Sequence, residues 1–271
     1  DWNFILFNFW ETIKSIFDNY LRGKMFNIRF DSDGLICAGT PDVQLTWMDV
    51  KIKDHVVTPR NGTPVEIQAL WYNTVRIVEI FAAKFNDINY QVRCEKLAGQ
   101  IRKVFFKLFW NSEKNCLFDY INGNSRNGSV RPNQLFALSL PYDDLVPQQN
   151  RKLIVQTMID KLLTPYGLRT LSPDDPQYQG RYEGGLEKRD RAYHQGSVWP
   201  FLMGPFITAY LRVNGYSDEY KKKAADYMRP LIERHMVEAG LGSISEIFDG
   251  EEPQNPAGCF SQAWSVAEIL R

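Results

Sequence analysis

Two carboxylates stand out for the residues beside them. Asp49 closes the stretch Leu45-Thr46-Trp47-Met48-Asp49, next to an indole, in a segment rich in Gly, Pro and Asp. Glu246 lies in Ser245-Glu246-Ile247-Phe248-Asp249-Gly250, near the other end of the chain. Splitting a sugar acetal needs one carboxylic acid at the leaving oxygen and one ionised carboxylate for water or the anomeric carbon. Trp47 and Met48 are expected to desolvate Asp49 and help it keep its proton. Ser245 is placed to orient Glu246. Taken singly, each carboxylate is a weak signal: Asp49 reads more readily as a solvated loop residue or a helix cap, and Glu246 also fits as a surface carboxylate. The pair, each member flanked by apolar or aromatic residues, makes the stronger case.

A third stretch is the loop Thr164–Val198. It carries Tyr178, Arg181, Tyr182, Glu183, Lys188, Arg189, Asp190, Arg191, Tyr193, His194 and Gln195, and leads into Trp199. Polar fork donors beside aromatic faces suit sugar hydroxyls and the apolar faces of sugar rings. For Arg181, Glu183, Arg189 and Asp190 a salt-bridged loop explains the composition as well. His194-Gln195-Gly196-Ser197-Val198-Trp199-Pro200 runs straight into an apolar helix and reads as functional. Glu66, Gln68, Trp71 and Asn73 bring polar groups to the start of another apolar helix and are expected to point toward the same mouth. Glu66 also fits as a first-turn carboxylate against the helix dipole. The three histidines, His55, His194 and His235, are not paired at ligand spacing, so no metal site is expected. No GxSxG signals a serine triad.

The positioning elements are helices. Phe4–Leu21 is amphipathic and Gly23 stops it. Met25–Ala38 alternates like a small β-hairpin around Asp31-Ser32-Asp33-Gly34. Gly39–Thr63 is a long irregular connection, a length that is usually functional. From Pro64 two helix types alternate. Pro64–Phe85, Pro132–Leu140, Trp199–Val213 and Phe260–Leu270 are apolar on nearly every side. Tyr90–Trp110, Arg151–Leu163 and Ser217–Val237 are one-sided. Inner helices wrapped by outer ones describe an all-α, α/α toroid rather than a simple bundle. The connections entering inner helices are long (Gly39–Thr63, Asn111–Arg131, Thr164–Val198, Gly240–Cys259) and those leaving them are short. All long loops then share one face, and Asp49, His194 and Glu246 converge there.

Composition closes off other classes. In 271 residues, Lys+Arg and Asp+Glu both number 32, so the formal net charge is zero. No basic stripe points to nucleic acid and no basic amphipathic segment to a membrane surface. No apolar run reaches the roughly 18–20 residues that span a bilayer. Cys37, Cys94, Cys116 and Cys259 are widely spaced, which suits reduced thiols in a cytoplasmic protein. The chain opens on Asp1-Trp2 without Met or a signal peptide, so a longer polypeptide is expected. There is no GxGxxG and no βα alternation.

Several of these stretches, taken together, resemble a known family. They are Leu45-Thr46-Trp47-Met48-Asp49; Thr58-Pro59-Arg60 with Pro64-Val65-Glu66-Ile67-Gln68-Ala69-Leu70-Trp71-Tyr72-Asn73; Val130-Arg131-Pro132-Asn133-Gln134; Tyr193-His194-Gln195-Gly196-Ser197-Val198-Trp199-Pro200; and Ser245-Glu246-Ile247-Phe248-Asp249-Gly250 with Gly258-Cys259 and Gln262-Ala263-Trp264-Ser265. In order and spacing they resemble the C-terminal amylo-α-1,6-glucosidase domain of glycogen debranching enzymes, from about Leu35 to the end. The resemblance implies a single domain over 1–271, an (α/α)6 toroid of the glucoamylase-like type. It implies inverting hydrolysis of α-1,6-linked glucose stubs in glycogen or α-glucan oligosaccharides, with no cofactor. On it Asp49 is the general acid and Glu246 the general base. Trp47, His194, Trp199 and Trp264 line the glucose subsite, with Arg60, Glu66, Trp71, Lys188, Arg191 and Gln195 as further substrate-binding residues. About eight helices are legible where such a toroid has twelve, so its N-terminal helices are expected to be missing. Two other readings are a toroid fragment that binds carbohydrate without hydrolysis, and a trehalase-like or glucoamylase-like hydrolase of the same fold.

Overall fold

The computed structural model describes residues 1–23, 25–239 and 241–271. Gly240, the first residue of the last predicted long loop, lies outside the described residues, as does Lys24 just before the predicted hairpin. Eleven α-helices are described in chain order. They are α1 (Trp2–Asn8), α2 (Trp10–Arg22), α3 (Val65–Lys84), α4 (Ile88–Phe109), α5 (Phe136–Ser139), α6 (Gln148–Lys161), α7 (Leu186–Tyr193), α8 (Met203–Asn214), α9 (Asp218–Arg229), α10 (Met236–Glu238) and α11 (Ala263–Leu270).

The expected helix Phe4–Leu21 is two helices, because Phe9 leaves helical geometry at φ −130°. Backbone bonds still bridge the break, from Phe9 to Ile5 and from Ile13 to Phe9. Gly23 ends α2 at φ +66°, a conformation in which only glycine avoids the Cβ penalty. The hairpin is a ladder of two residue pairs, Arg29 with Cys37 and Phe30 with Ile36. Other helix starts are also shorter than expected. Pro132–Leu135 and Pro200–Leu202 are 3₁₀ turns feeding α5 and α8. Each opens on a proline, which supplies the first-turn φ and lacks an N–H that would have no partner there. Pro230–His235 widens to a π-helical turn between α9 and α10.

Packing separates two layers. α3 packs on α4 and on α5, α5 on α8, and α8 on α6, α9 and α11. α3 buries Val65, Ala69, Tyr72, Val75, Val78 and Ala82. Its partner α4 is one-sided through Cys94, Leu97, Ala98, Ile101, Phe105 and Phe109. α9 buries only Ala224, as an outermost helix should. α3 is not buried all round, however. Leu70, Ile77 and Ile80 are exposed along one flank, and Phe260 and Leu270 are exposed at the other end of the row, on and before α11. A helix at the end of a row lacks a neighbour on one side, which periodicity within the helix cannot reveal. The four cysteines are free. Burial pushes the Cys94 thiol up to about 12 and Cys116 up to about 11, so both behave as apolar filler. Among the described residues no helix is long and apolar enough to cross a membrane.

The loops carry more regular structure than their composition predicts. The connection 164–198 contains a strand, Gly167–Arg169, and α7. A five-stranded antiparallel sheet runs in the order Leu163–Thr164, Gly167–Arg169, Val198–Trp199, Ile247–Phe248, Pro256–Ala257. It brings the two ends of the functional half of the chain together, with Val198 opposite Phe248. A shorter sheet joins Thr63–Pro64 to the hairpin Tyr120–Asn122 and Ser125–Asn127.

A buried ion cluster ties these loops to α3. Arg60 donates through Nη1 and Nη2 to both oxygens of Glu66, the second at 2.6 Å. Its Nε reaches Asp119 Oδ2 at 2.7 Å and its Nη2 reaches Asp119 Oδ1 at 2.9 Å. Arg131 lies 3.7 Å from the same Asp119. The carboxylates hold the Arg60 proton against the cost of burial, whereas burial lowers Arg131. Removing one partner from such a cluster leaves an unpaired buried charge, which costs about 3–5 kcal/mol. Asp119→Ala is therefore expected to lower unfolding stability by about that amount in urea titration. A loss below about 1 kcal/mol would show that the cluster is not what ties these loops down.

A second prediction concerns acid. His235 is buried in the π-helical turn, and its Nε2 accepts the Ser245 N–H at 3.0 Å. Burial lowers its pKa, and that of His194, below the usual value of about 6.5. The unfolded chain then binds protons that the folded one does not. The stability these neutral rings support is complete above about pH 6.5 and is lost as the pH falls below it. The thermal midpoint should drop between about pH 7.5 and 5.5, and His235→Gln should flatten part of that drop.

Candidate active site

The site begins with three consecutive residues. Met48 turns inward, its sulfur 3.7 Å from Asn133 Nδ2 and 3.8 Å from Arg131 Nη1. Trp47 is pinned through its indole N–H, which donates to Asn133 Oδ1 at 2.8 Å. Asn133 in turn donates to Asp119 Oδ1 at 2.8 Å, so the indole is tied to the buried cluster. Asp49 points outward, with its side chain 67% exposed. The expected desolvation of Asp49 by Trp47 and Met48 is therefore not what the geometry gives. Contact with His194, whose Nε2 lies 3.6 Å from Asp49 Oδ1, holds the carboxyl below its ordinary range, and partial desolvation opposes it. Burial lowers the His194 pKa against the opposing pull of Asp49, and beyond that 3.6 Å contact neither ring nitrogen has a hydrogen-bond partner among the described residues.

His194 is buried, as are Trp199 and Gln195. The His194 ring stacks on Trp199 at 5.3 Å and meets Trp47 edge-on at 5.2 Å. Trp199 meets Trp47 and Trp264 edge-on, at 5.4 and 5.6 Å. Phe201 stacks on Trp264 at 4.4 Å and touches Trp47 at 5.2 Å. The result is a continuous aromatic floor on which only Trp47 and Trp264 present open surface, Trp264 being 38% exposed. His194 and Trp199 back the floor rather than line it.

Glu246 meets the floor through Tyr193, whose ring contacts Trp199 and His194. Tyr193 Oη donates to Glu246 Oε1, and the Cys259 N–H donates to its Oε2 at 2.8 Å. The Glu246 N–H returns a bond to the Cys259 carbonyl at 2.8 Å. Gly258, at φ +71°, lies so close that a Cβ there would collide with the Glu246 carboxylate. Burial and the neighbouring carboxylate raise the Tyr193 phenol well above its ordinary value, so it stays a donor.

The other expected site residues fall into four groups. Arg60 and Glu66 are sealed in the ion cluster and support the site from below. Gln195 accepts from Arg131 at 2.6 Å and donates to the Val57 carbonyl at 3.1 Å, joining two loops. Trp71 stacks on Phe17 at 5.2 Å and donates to the Gly34 carbonyl, so it packs α2 and the hairpin against α3, away from the mouth. Its indole follows the helical period to the α2 side. Lys188 and Arg191 stand in exposed pairs with Glu183 and Glu187 on and beside α7. An i,i+4 partner on a short polar helix is available to Arg191, and solvated pairs of this kind form without a ligand.

The residues taken one by one give no role to Asp119, Asn133 or Phe201. Asp119 does carry a signal, the same as that of Asp49. It is a lone carboxylate between apolar neighbours, Phe118 and Tyr120, inside a long loop. Arg131 is legible only as part of a motif. In the fold it donates to the carbonyls of Thr170 and His194, at 3.0 and 2.8 Å, and so fixes the backbone that carries His194.

Comparison with known proteins gives the family and the fold. The glycogen debranching enzyme of the yeast Saccharomyces cerevisiae is 27% identical over 313 residues, covering 93% of this chain but 20% of that protein. The chain thus spans about a fifth of this relative. Among solved structures, one titled sialidase aligns with the whole chain and 24% of its own, at TM-score 0.70 and 17% identity. The neutral trehalase Nth1 from Saccharomyces cerevisiae aligns over 77% of this chain and 37% of its own, at TM-score 0.57 and 16% identity. The GH63 mannosylglycerate hydrolase from Thermus thermophilus aligns over 78% of this chain and 46% of its own, at TM-score 0.55 and 16% identity. These likenesses concern the fold. The family model described as amylo-alpha-1,6-glucosidase matches residues 1–271, and the chain belongs to that family of glycoside hydrolases.

Proposed function

We propose that this chain carries the glucosidase chemistry of glycogen debranching, the inverting hydrolysis of an α-1,6-linked glucose stub on a glycogen-like chain. The observation that carries the proposal is the way the two carboxylates are held. Asp49 contacts His194, and Glu246 accepts from Tyr193, so two consecutive residues reach both. Two donors on Glu246 suit an ionised base, and each of its oxygens keeps a lone pair for water. Asp49 faces solvent beside Trp47, where a bound sugar would strip its water. Desolvation raises a carboxyl, and that is how Asp49 takes up the proton the acid role needs. An inverting pair works at a separation of roughly 6.5–9.5 Å, with one water between base and anomeric carbon.

The α-1,6 linkage and the glycogen substrate rest on the family and on the yeast relative. A cytoplasmic setting goes with that substrate. The (α/α)6 toroid goes with it too, the row α3, α5, α8, α11 being four of its six inner helices. A second reading, binding of glucan without hydrolysis, draws on the open flanks of that row at Leu70, Ile77 and Ile80 and at Phe260 and Leu270.

Hydrolysis of α-glucosyl fluoride, with the released anomer followed by NMR, separates the two readings. β-Glucose is the expected product. Glu246→Gln should lower its release by about 10²–10⁴-fold. Asp49→Asn should cost about 10²–10⁴-fold on an isomaltose-type stub but far less on the fluoride, which leaves with little acid help. Release of α-glucose, or turnover retained in Glu246→Gln, would overturn the mechanism. No release from folded protein would favour the binding reading. Preference for trehalose or maltose over the isomaltose-type stub would overturn the linkage.

A further inference from the structure

Glu246 is held in a way that the base role alone does not use. One oxygen takes the Tyr193 hydroxyl and the other takes the Cys259 N–H. The backbone donor comes from the strap that pairs with the Glu246 segment, so it fixes where the carboxylate sits. The phenol comes from a different element, the end of α7, and so fixes the direction in which the carboxylate plane faces. Tyr193 itself has little freedom. Its ring meets Trp199 at 4.9 Å and His194 at 4.7 Å, and its backbone carbonyl accepts the Trp199 indole N–H at 3.0 Å. His194 ends α7 at φ −122°, so the side chains of residues 193 and 194 leave the helix in different directions, one to each carboxylate.

Resting on the reading of Glu246 as the base, we infer that Tyr193 is the positioning residue that aims the Glu246 carboxylate at the hydrolytic water, and that the dipeptide Tyr193-His194 sets the spacing between the two carboxylates. The phenol transfers no proton. Burial and Glu246 both keep that proton on Tyr193, and so it remains a fixed donor to the carboxylate. Losing the donor leaves Glu246 on its Cys259 hinge but free to swing about it.

Tyr193→Phe tests this, because it keeps the ring and the indole bond and removes only the hydroxyl. On α-glucosyl fluoride, kcat is expected to fall about 10- to 100-fold, as for a lost hydrogen bond to a charged group, with KM within about twofold. On the residual turnover of Glu246→Gln, where that can be measured against the uncatalysed rate, the same change should add nothing to the loss. An unchanged kcat in Tyr193→Phe, or an equal extra loss in the Glu246→Gln background, would overturn the inference while leaving Glu246 as base. Full turnover in Glu246→Gln alone would instead overturn the base assignment, and this inference with it. Calorimetry with 1-deoxynojirimycin and with glucose reads the same contact without turnover. The cationic iminosugar should lose about tenfold in affinity in Tyr193→Phe and neutral glucose less than about twofold. Equal losses for both would show packing rather than aim.

Discussion

The buried cluster of Arg60, Arg131, Glu66 and Asp119 is the constraint on which the site depends. Two positive and two negative side chains lie out of water, each of which would cost several kcal/mol if left alone. They are tolerable only together, so the segments that carry them must arrive together. Arg60 comes from the loop 39–63, Glu66 from the start of α3, and Asp119 and Arg131 from the connection between α4 and α5. Arg131 then holds the backbone at His194, and Asn133 passes the restraint from Asp119 to Trp47. A tie of this kind contributes little net stability, but it allows few alternative arrangements of the loops it joins.

The two carboxylates receive opposite treatment from that frame. Asp49 is left in solvent beside a neutral buried imidazole, whereas Glu246 is clamped between a phenol and a backbone N–H. On the proposed assignment, the contrast suits an acid that must gain and lose a proton as sugar comes and goes, and a base that must hold one direction throughout. Both are reached from the end of α7, whose last residue and C-cap are Tyr193 and His194. The sheet carries the second half of the arrangement, since Val198 pairs with Phe248 and so fixes the Glu246 segment beside the one that holds Tyr193.

The aromatic floor is mostly buried. Trp199 and Phe201 give their area to packing, and Trp47 and Trp264 keep an open face. Aromatic side chains satisfy both uses, since one face can seal a core while the other meets the apolar side of a sugar ring. The open flanks of α3 and α11 are of a different kind. Leu70, Ile77 and Ile80 recur at helical spacing on the side of α3 turned away from its buried face, with exposed Thr74 between the first two.

The alternation of apolar and one-sided helices, the long connections between them, and Asp49 and Glu246 as candidates are all legible from the order of residues. Local period and loop length are properties of neighbours in sequence, and a carboxylate between aromatic residues is visible wherever it lies. What the fold alone decided was direction and partner. Met48 and Asp49 are adjacent, yet one turns into the ion cluster and the other into solvent, as successive residues of an extended segment do. Trp71, expected at the mouth, packs on Phe17, because α3 turns that position toward α2. Arg60 and Glu66, expected to bind sugar, are buried with Asp119, a residue far from both in the chain. Whether a charged side chain meets water, a ligand or an opposite charge depends on what crosses it in space, and in this chain those crossings join residues far apart in sequence.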